Sequence, residues 1–511
     1  MSGTSNMEPT MPNTALQSHR RTRGSRRARL LAAAVVPLAL LVAACGGGGD
    51  SGDASGGGDS GACPVGALAD AKAPVEVTVW NNYSSLPKRT FDAMVAQYNQ
   101  SQTKVKVNVQ PQGISFEEVL RKYKLAAEDK KLPNLALLED TTTQVIADSG
   151  TIIPGAACYA ADKQSKKILK DFLPIAVASY TVDGKLQPVG FDVYTALVFY
   201  NRTHFTQAGL NPDTPPATLD EIRADAQKIK AVRPDKTPVG VLGTSWQVEW
   251  WLTGVKQSIV NQDNGREALA TAGTFKNKET TRLFDFWSGM VGDQLAKPFP
   301  GTEGQTDHLF SMATNDTSMV VESSAAVNTI AGLLDGSLSA DQLKADLGID
   351  IPPGFKLDLD LGVGPFPGLD EPGQGQIGGG AWYLTNAGTK EQQAASWDFM
   401  KWFNATPQQV QWALQGSGLP VVQSAVDDPQ LQEEWNTTLG GQWNKVAFSV
   451  LQNVSTDFPG PLIGDYKATR EAIRTAYESV LLSGGEGAVA IDGAQAKITA
   501  AAAEYKKTVG G

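Results

Sequence analysis

Val75-Glu76-Val77-Thr78-Val79-Trp80 is the stretch that decides the fold, with valine at every odd position and Glu76, Thr78 and Trp80 between them. Alternation at period two puts the valines on one face of an extended chain, as a half-buried strand requires. Ser85-Leu86-Pro87 then reads as a helix start. Phe91, Met94, Val95 and Tyr98 follow at i, i+3, i+4 and i+7, one apolar helix face. Val105, Val107 and Val109 alternate again. A strand, a helix and a strand in that order predict a βαβ unit on a parallel sheet. Phe116, Val119, Leu120, Tyr123 and Ala127 mark the next helix, and Leu135–Leu138 is a continuous apolar run, as in a strand covered on both faces.

The α/β pattern continues outward. Asp183-Gly184 is a hairpin turn before Gln187–Gly190, and Ala196–Tyr200 reads as another buried strand. Thr218-Leu219-Asp220-Glu221 predicts a capped helix start, with Ile222, Ala226 and Ile229 on its inner face. A tryptophan-rich stretch, Trp246–Val255, opens a helical region that continues through Phe284, Phe286, Trp287 and Met290. Leu361–Phe366 and Ile377–Leu384 look like strands on either side of the Gly/Pro-rich loop Pro367–Gln376. Helices are expected at Gln392–Phe403, Pro407–Leu414, Ala468–Leu482 and Gly493–Lys507.

Toward the N-terminus the chain changes character. Six arginines between Arg20 and Arg29 precede an apolar run, Leu30–Ala44, too short for a lasting membrane helix and suited to the core of a signal peptide. Leu41-Val42-Ala43-Ala44-Cys45 followed by four glycines resembles the bacterial lipobox, which implies cleavage of residues 1–44 and a lipid on Cys45. Ser25–Leu30 also resembles a twin-arginine export motif, although Arg29 stands where an apolar residue is usual. Residues 45–73 begin with Gly, Ser, Asp and Ala, a composition that cannot bury enough apolar area to offset its ordering entropy and so reads as a tether.

The whole chain has 44 basic and 54 acidic residues, a net charge of −10. Residues 1–44 carry six Arg against one Glu, so the part that follows stands at −15. Such a body disfavours nucleic acid as a partner. Its 440-odd residues suit two lobes with full cores. His204 and His308 are its only histidines, thin support for a zinc cluster or a Ser-His-Asp triad, and neither metal nor cofactor is expected. Cys63 and Cys158, the remaining thiols, read as one disulfide in an exported chain, the alternative being two unpaired buried thiols.

Several short stretches in order are similar to the family 1 extracellular solute-binding proteins of bacterial ABC importers. They are Val79-Trp80-Asn81-Asn82, Gly190-Phe191-Asp192 with Val198–Arg202, Ala208-Gly209-Leu210, Pro215–Thr218, Gly378–Trp382 and Gly416–Pro420. The resemblance implies an α/β, two-lobed periplasmic-binding-protein-like fold, with hinge strands and a central inter-lobe cleft that closes on its ligand. Residues 74–188 and 318–368 are expected to form the first lobe, and 189–317 and 369–511 the second. Crossings are expected near Pro188–Asp192, Ala313–Ser323 and Gly364–Gln376. The partners implied are a small carbohydrate, the permease subunits of the importer and, through Cys45, the membrane. A monomer, not an enzyme, is expected.

In open α/β sheets, ligands sit beyond the carboxyl ends of the strands. That rule selects Asn82 and Tyr83 after the first strand, and Glu139 and Asp140 after Leu135–Leu138. A carboxylate accepts from paired hydroxyls, which suits a sugar, and the family often places one at this position; Asp140 could equally cap the helix that follows. Phe116 lies near the second strand, where the glycerol-phosphate branch has a tyrosine. Trp246 and Trp250, four apart, could offer flat rings to sugar C–H faces or simply pack the core. Asp192, Tyr194, Glu322 and Ser323 sit where the chain should cross between lobes. Gly379 and Gly380 would let backbone approach a ligand, or serve a tight strand crossing, and Trp382 follows them. The chain looks closest to the glycerol-phosphate and glycerophosphodiester branch. That branch has an arginine in the segment here occupied by Phe458–Leu462, where no Lys or Arg stands. A phosphate wants a fixed donor fork, so a neutral di- or oligosaccharide becomes the first expectation and a glycerophosphodiester the second. Rival readings are a tethered glycoside hydrolase, drafting Glu139 or Asp140 with Glu249 or Glu322, and a sugar sensor without transport.

Overall fold

The computed structural model describes residues 62–510 apart from 73, 303–305, 339–340, 343, 345–356 and 417. The expected signal peptide, Cys45 and the glycine-rich start of the tether lie outside the described residues. Two five-stranded mixed sheets carry the architecture.

In the first sheet, Val75–Asn81 pairs parallel with Val105–Pro111 and with Leu135–Glu139, as the alternating valines and the βαβ order predict. Helices Ser85–Ser101 and Phe116–Glu128 make the two crossovers; Phe91, Met94, Val95 and Tyr98 bury one face of the first. Leu135–Leu138 are fully buried, since the sheet is covered on both sides. Gly378–Leu384 then runs antiparallel to Leu135–Glu139, and Gly190–Tyr194 antiparallel to Gly378–Leu384 at the edge.

The second sheet orders Leu361–Pro365, Ala196–Asn201, Met319–Ser323, Val239–Gly243 and Ala296–Pro300 side by side. The chain passes from one sheet to the other at Thr195, between the abutting strands Gly190–Tyr194 and Ala196–Asn201. It returns through residues 366–377, and crosses again before helix Leu439–Gln452, which packs on the second sheet.

The expected division into segments is therefore corrected. Residues 318–368 give two strands to the second sheet, not the first, and Ala313–Ser323 is no crossing. The segment after 369 supplies Gly378–Leu384 and helices Lys390–Phe403 and Thr406–Gln415 to the first lobe before rejoining the second. Met319-Val320-Val321 and Ala381–Leu384 are equally apolar runs, and apolarity says that a strand is buried without saying in which sheet.

The end of the presumed tether is also structured. Cys63 is disulfide-bonded to Cys158, and the turn Ala67–Asp70 packs against helix Lys390–Phe403, with Val65 and Leu68 partly buried. Among the described residues no helix is long and apolar enough to cross a membrane.

Candidate ligand-binding cleft

A cleft of about 1090 Å³ lies between the two sheets. Its first wall comes from the helix carrying Phe116 and Leu120 and from Glu139, Thr141 and Thr142. Its second wall comes from Thr244, Ser245, Trp246, Glu322 and Ser323. Except for the Phe116 helix, these residues lie at or just past the carboxyl ends of strands, where backbone pairing ends and side chains can face a solute. Helix Tyr466–Ser483 closes one side with Tyr466, Lys467, Arg470 and Arg474.

Arg470 organises the charge here. Its Nε lies 3.0 and 3.2 Å from the two carboxylate oxygens of Glu249, its Nη2 3.1 Å from Glu249 Oε2, and its Nη1 2.6 Å from Glu139 Oε1. Tyr466 donates its hydroxyl to Glu249 at 3.2 Å and sets its ring 5.2 Å from the guanidinium. Burial alone would push the Arg470 pKa down; Glu249 and then Glu139 more than reverse that, leaving it above the ordinary arginine value. Asp140 stands just behind, hydrogen-bonded by the Thr141 backbone N–H. Burial first and the Glu139 carboxylate second raise its pKa, against the pull of Arg470.

Of the residues selected from the sequence, Phe116, Glu139, Trp246, Glu322 and Ser323 line this cleft together. Glu322 meets the buried His308 (Nε2–Oε2 2.5 Å), whose Nδ1 has no partner among the described residues. Asn82 and Asp140 are not on the lining surface, and the Asn82 Oδ1 is buried and unpartnered among the described residues. Tyr83, Asp192 and Tyr194 gather instead beside the crossing at Thr195. Asp192 accepts from Tyr83 (2.9 Å) and Tyr194 (3.2 Å) on one oxygen and from Trp412 Nε1 (3.2 Å) on the other.

Three aromatic and glycine expectations are corrected. Trp382 is 0% exposed and stacks on Phe91 at 5.2 Å, so it is core of the first lobe. Trp250, 4% exposed, packs on Phe366 and under the returning loop; a Cβ on Gly378 would stand 3.0 Å from its ring. At Gly379 and Gly380 the missing side chains fit close packing within the first sheet. Gly379 has φ +109, and a Cβ there would sit 2.3 Å from the Asp192 carbonyl oxygen; one on Gly380 would sit 2.9 Å from the Phe116 ring.

The sequence reading missed Arg470 and Tyr466. Phe458–Leu462 carries no cation and Lys467 is the nearest one downstream, whereas Arg470 stands four residues after the buried Tyr466 and three before the buried Ile473. An arginine on the apolar stripe of an amphipathic helix was the available signal.

Asp192 supplies a first prediction. Burial pushes its pKa up to about 6, although its three donors pull downward. It thus holds its proton more tightly folded than unfolded. Its stabilising contribution is full below pH ~4 and is lost as pH rises through about 6, a change of about 3 kcal/mol. Urea titrations from pH 4 to 7 should show that fall in the native chain and a flatter profile in Asp192→Asn. Identical slopes in the two proteins would remove Asp192 as its source.

Two lobes, joined where the chain crosses at Thr195, through residues 366–377 and before helix Leu439–Gln452, with an open cleft between them, have the form of a solute-binding protein. A family model for bacterial extracellular solute-binding proteins matches residues 93–438, and the chain belongs to that family. The chain is 23% identical over 458 residues to the sn-glycerol-3-phosphate-binding periplasmic protein UgpB of Brucella abortus, covering 87% of this chain and 97% of that one. In structure it resembles the sugar-binding protein MalE of Xanthomonas citri (TM-score 0.67, 18% identity, 85% and 99% covered). It also resembles the cyclic alpha-maltosyl-1,6-maltose binding protein of Arthrobacter globiformis (TM-score 0.66, 21% identity, 84% and 100% covered). UgpB of Mycobacterium tuberculosis in complex with glycerophosphocholine matches with TM-score 0.61 and 18% identity over 84% and 98% of the two chains. These relatives are binding proteins, and they share the two-lobed fold.

Proposed function

We propose that the chain is the extracytoplasmic, lipid-anchored capture component of an ABC importer, holding a neutral di- or oligosaccharide in the inter-lobe cleft. The observation that carries the choice of ligand is the pairing of the cleft's cations. Arg470 is held by Glu139 and Glu249, Lys467 by Glu117, and Arg474 by Glu471 and Glu478. Lys124, on the exposed side of its helix, is the fourth basic lining residue. A phosphate would compete with carboxylates for these donors, whereas sugar hydroxyls can donate to the same carboxylates and stack C–H faces on Phe116 or Trp246.

The names of the UgpB relatives favour a second reading, a glycerol-phosphate or glycerophosphodiester ligand. A thermal-shift screen of both classes distinguishes them, since a ligand that binds only the folded chain raises its melting temperature. Neutral oligosaccharides are expected to raise it and glycerophosphodiesters to leave it unmoved; the reverse result would sink the first reading. Trp246→Ala is expected to weaken the winning sugar roughly tenfold, about 1.4 kcal/mol of lost stacking, by calorimetry. The rival hydrolase predicts cleavage of the sugar, which the same incubations would reveal by chromatography.

A further inference from the structure

Helix Tyr466–Ser483 belongs to the second lobe, packed on helix Ser245–Gly254 and on strands Val239–Gly243 and Ala296–Pro300. Glu249, wholly buried in that lobe, grips Arg470 through Nε and Nη2, and the Tyr466 ring lies beside the guanidinium. One arm is left, and it crosses the cleft: Nη1 donates to Glu139 Oε1 at 2.6 Å, at the carboxyl end of the first-lobe strand Leu135–Glu139. Glu139 is held in turn, its Oε2 accepting from Thr141 Oγ1 at 2.8 Å.

We propose that the Arg470–Glu139 ion pair is a salt-sensitive latch between the lobes, which sets how far the ligand-free cleft stands open. The inference rests on reading the chain as a two-lobed binding protein whose lobes move. Each partner is positioned by its own lobe, so the pair forms without the ordering cost that makes most exposed ion pairs weak. Of the Arg470 contacts, opening breaks only the Glu139 arm. Arg470 keeps Glu249, no buried charge is orphaned, and Glu139 is left at the lip of the cleft, where water can reach it. An arrangement that can open without stranding a charge is reversible, unlike a purely structural buried pair. The side chains are 22% and 30% exposed, enough for salt to screen the attraction. One turn earlier on the same helix, Lys467 pairs with Glu117 of the first-lobe helix Phe116–Glu128, a more exposed tie across the same gap. A further tie joins the helices behind, where Tyr505 donates to Asp148 Oδ2 at 2.7 Å.

The test needs no ligand, so a failed sugar screen and a failed latch are separate results. Spin labels on Glu128→Cys in the first lobe and Val232→Cys in the second report the interlobe distance in the ligand-free mature chain. The native pair should give a short, narrow distance distribution at low salt that broadens outward at 1 M salt. Glu139→Gln, which keeps side-chain shape and leaves Arg470 with Glu249, should shift the closed-to-open ratio about tenfold toward open at low salt, the size of one well-placed ion pair. It should also lose most of the salt response, and adding Lys467→Gln should remove the remainder. Melting curves of the variants confirm folding, and Glu139→Ala should behave as Glu139→Gln does. A Glu139→Gln chain with the native distance distribution and the native salt response would overturn the proposal.

Discussion

Arg470→Met is expected to cost about 3–5 kcal/mol of folding stability, the usual penalty for removing one partner of a buried ion pair. The loss comes from what it leaves behind. Glu249 is 0% exposed, and three of the four hydrogen bonds its carboxylate accepts come from Arg470, through Nε and Nη2. The Tyr466 hydroxyl alone cannot compensate a carboxylate in that position. Urea unfolding followed by circular dichroism measures the loss directly. The double variant Arg470→Met/Glu249→Leu removes both charges and should recover most of it, because an apolar pair of similar volume avoids the desolvation cost. Glu139→Gln, by contrast, should change stability by less than about 1 kcal/mol, since that arm of the network is partly exposed. A loss below about 1 kcal/mol in Arg470→Met would show that Glu249 finds other partners, and would remove Arg470 as the organiser of the cleft.

How much of this was legible in the sequence depends on the length scale of the signal. The first sheet's opening could be read almost residue by residue, because alternation at Val75–Val79 and the i, i+3, i+4 spacing at Phe91–Tyr98 are local consequences of backbone geometry. The rule that ligands sit past strand carboxyl ends selected Glu139, which lines the cleft; Glu322 and Ser323 line it too, but were selected as part of a lobe crossing that the second sheet does not contain. Three other features are decided by partners remote in sequence. Sheet membership of Met319–Ser323 and Gly378–Leu384 is decided by pairing across more than a hundred residues. Trp382 and Trp250 carry rings that suit a core as well as a sugar, and only the partners Phe91 and Phe366 decide between them. Arg470 meets Glu139 across a separation of 331 residues, so an argument confined to one segment, Phe458–Leu462, could not find it.

Removing the disulfide with Cys63→Ala/Cys158→Ala is expected to destabilise the chain by about 4–5 kcal/mol, from a cross-link that closes a loop of sequence separation 95. The loop matters more than the bond's own packing. Between its two ends lie Val75–Asn81, Val105–Pro111 and Leu135–Glu139, three of the five strands of the first sheet, with both crossover helices. In the unfolded chain the cross-link confines all of them; without it the ensemble expands and its entropy rises. The denatured state should therefore expose more surface, so the urea m-value should rise as the midpoint falls. That pairing of signs separates an effect on the unfolded chain from simple loss of native contacts, which would lower the midpoint at constant m. Native packing contributes too, since Cys158 is fully buried and Cys63 fixes the segment that covers helix Lys390–Phe403. A midpoint shift worth under about 1 kcal/mol at unchanged m would mean that the cross-link constrains little beyond its own neighbourhood. Because the cleft's Glu139 ends the last strand inside this loop, the double variant should also weaken sugar binding in proportion to its unfolded fraction, and not beyond it.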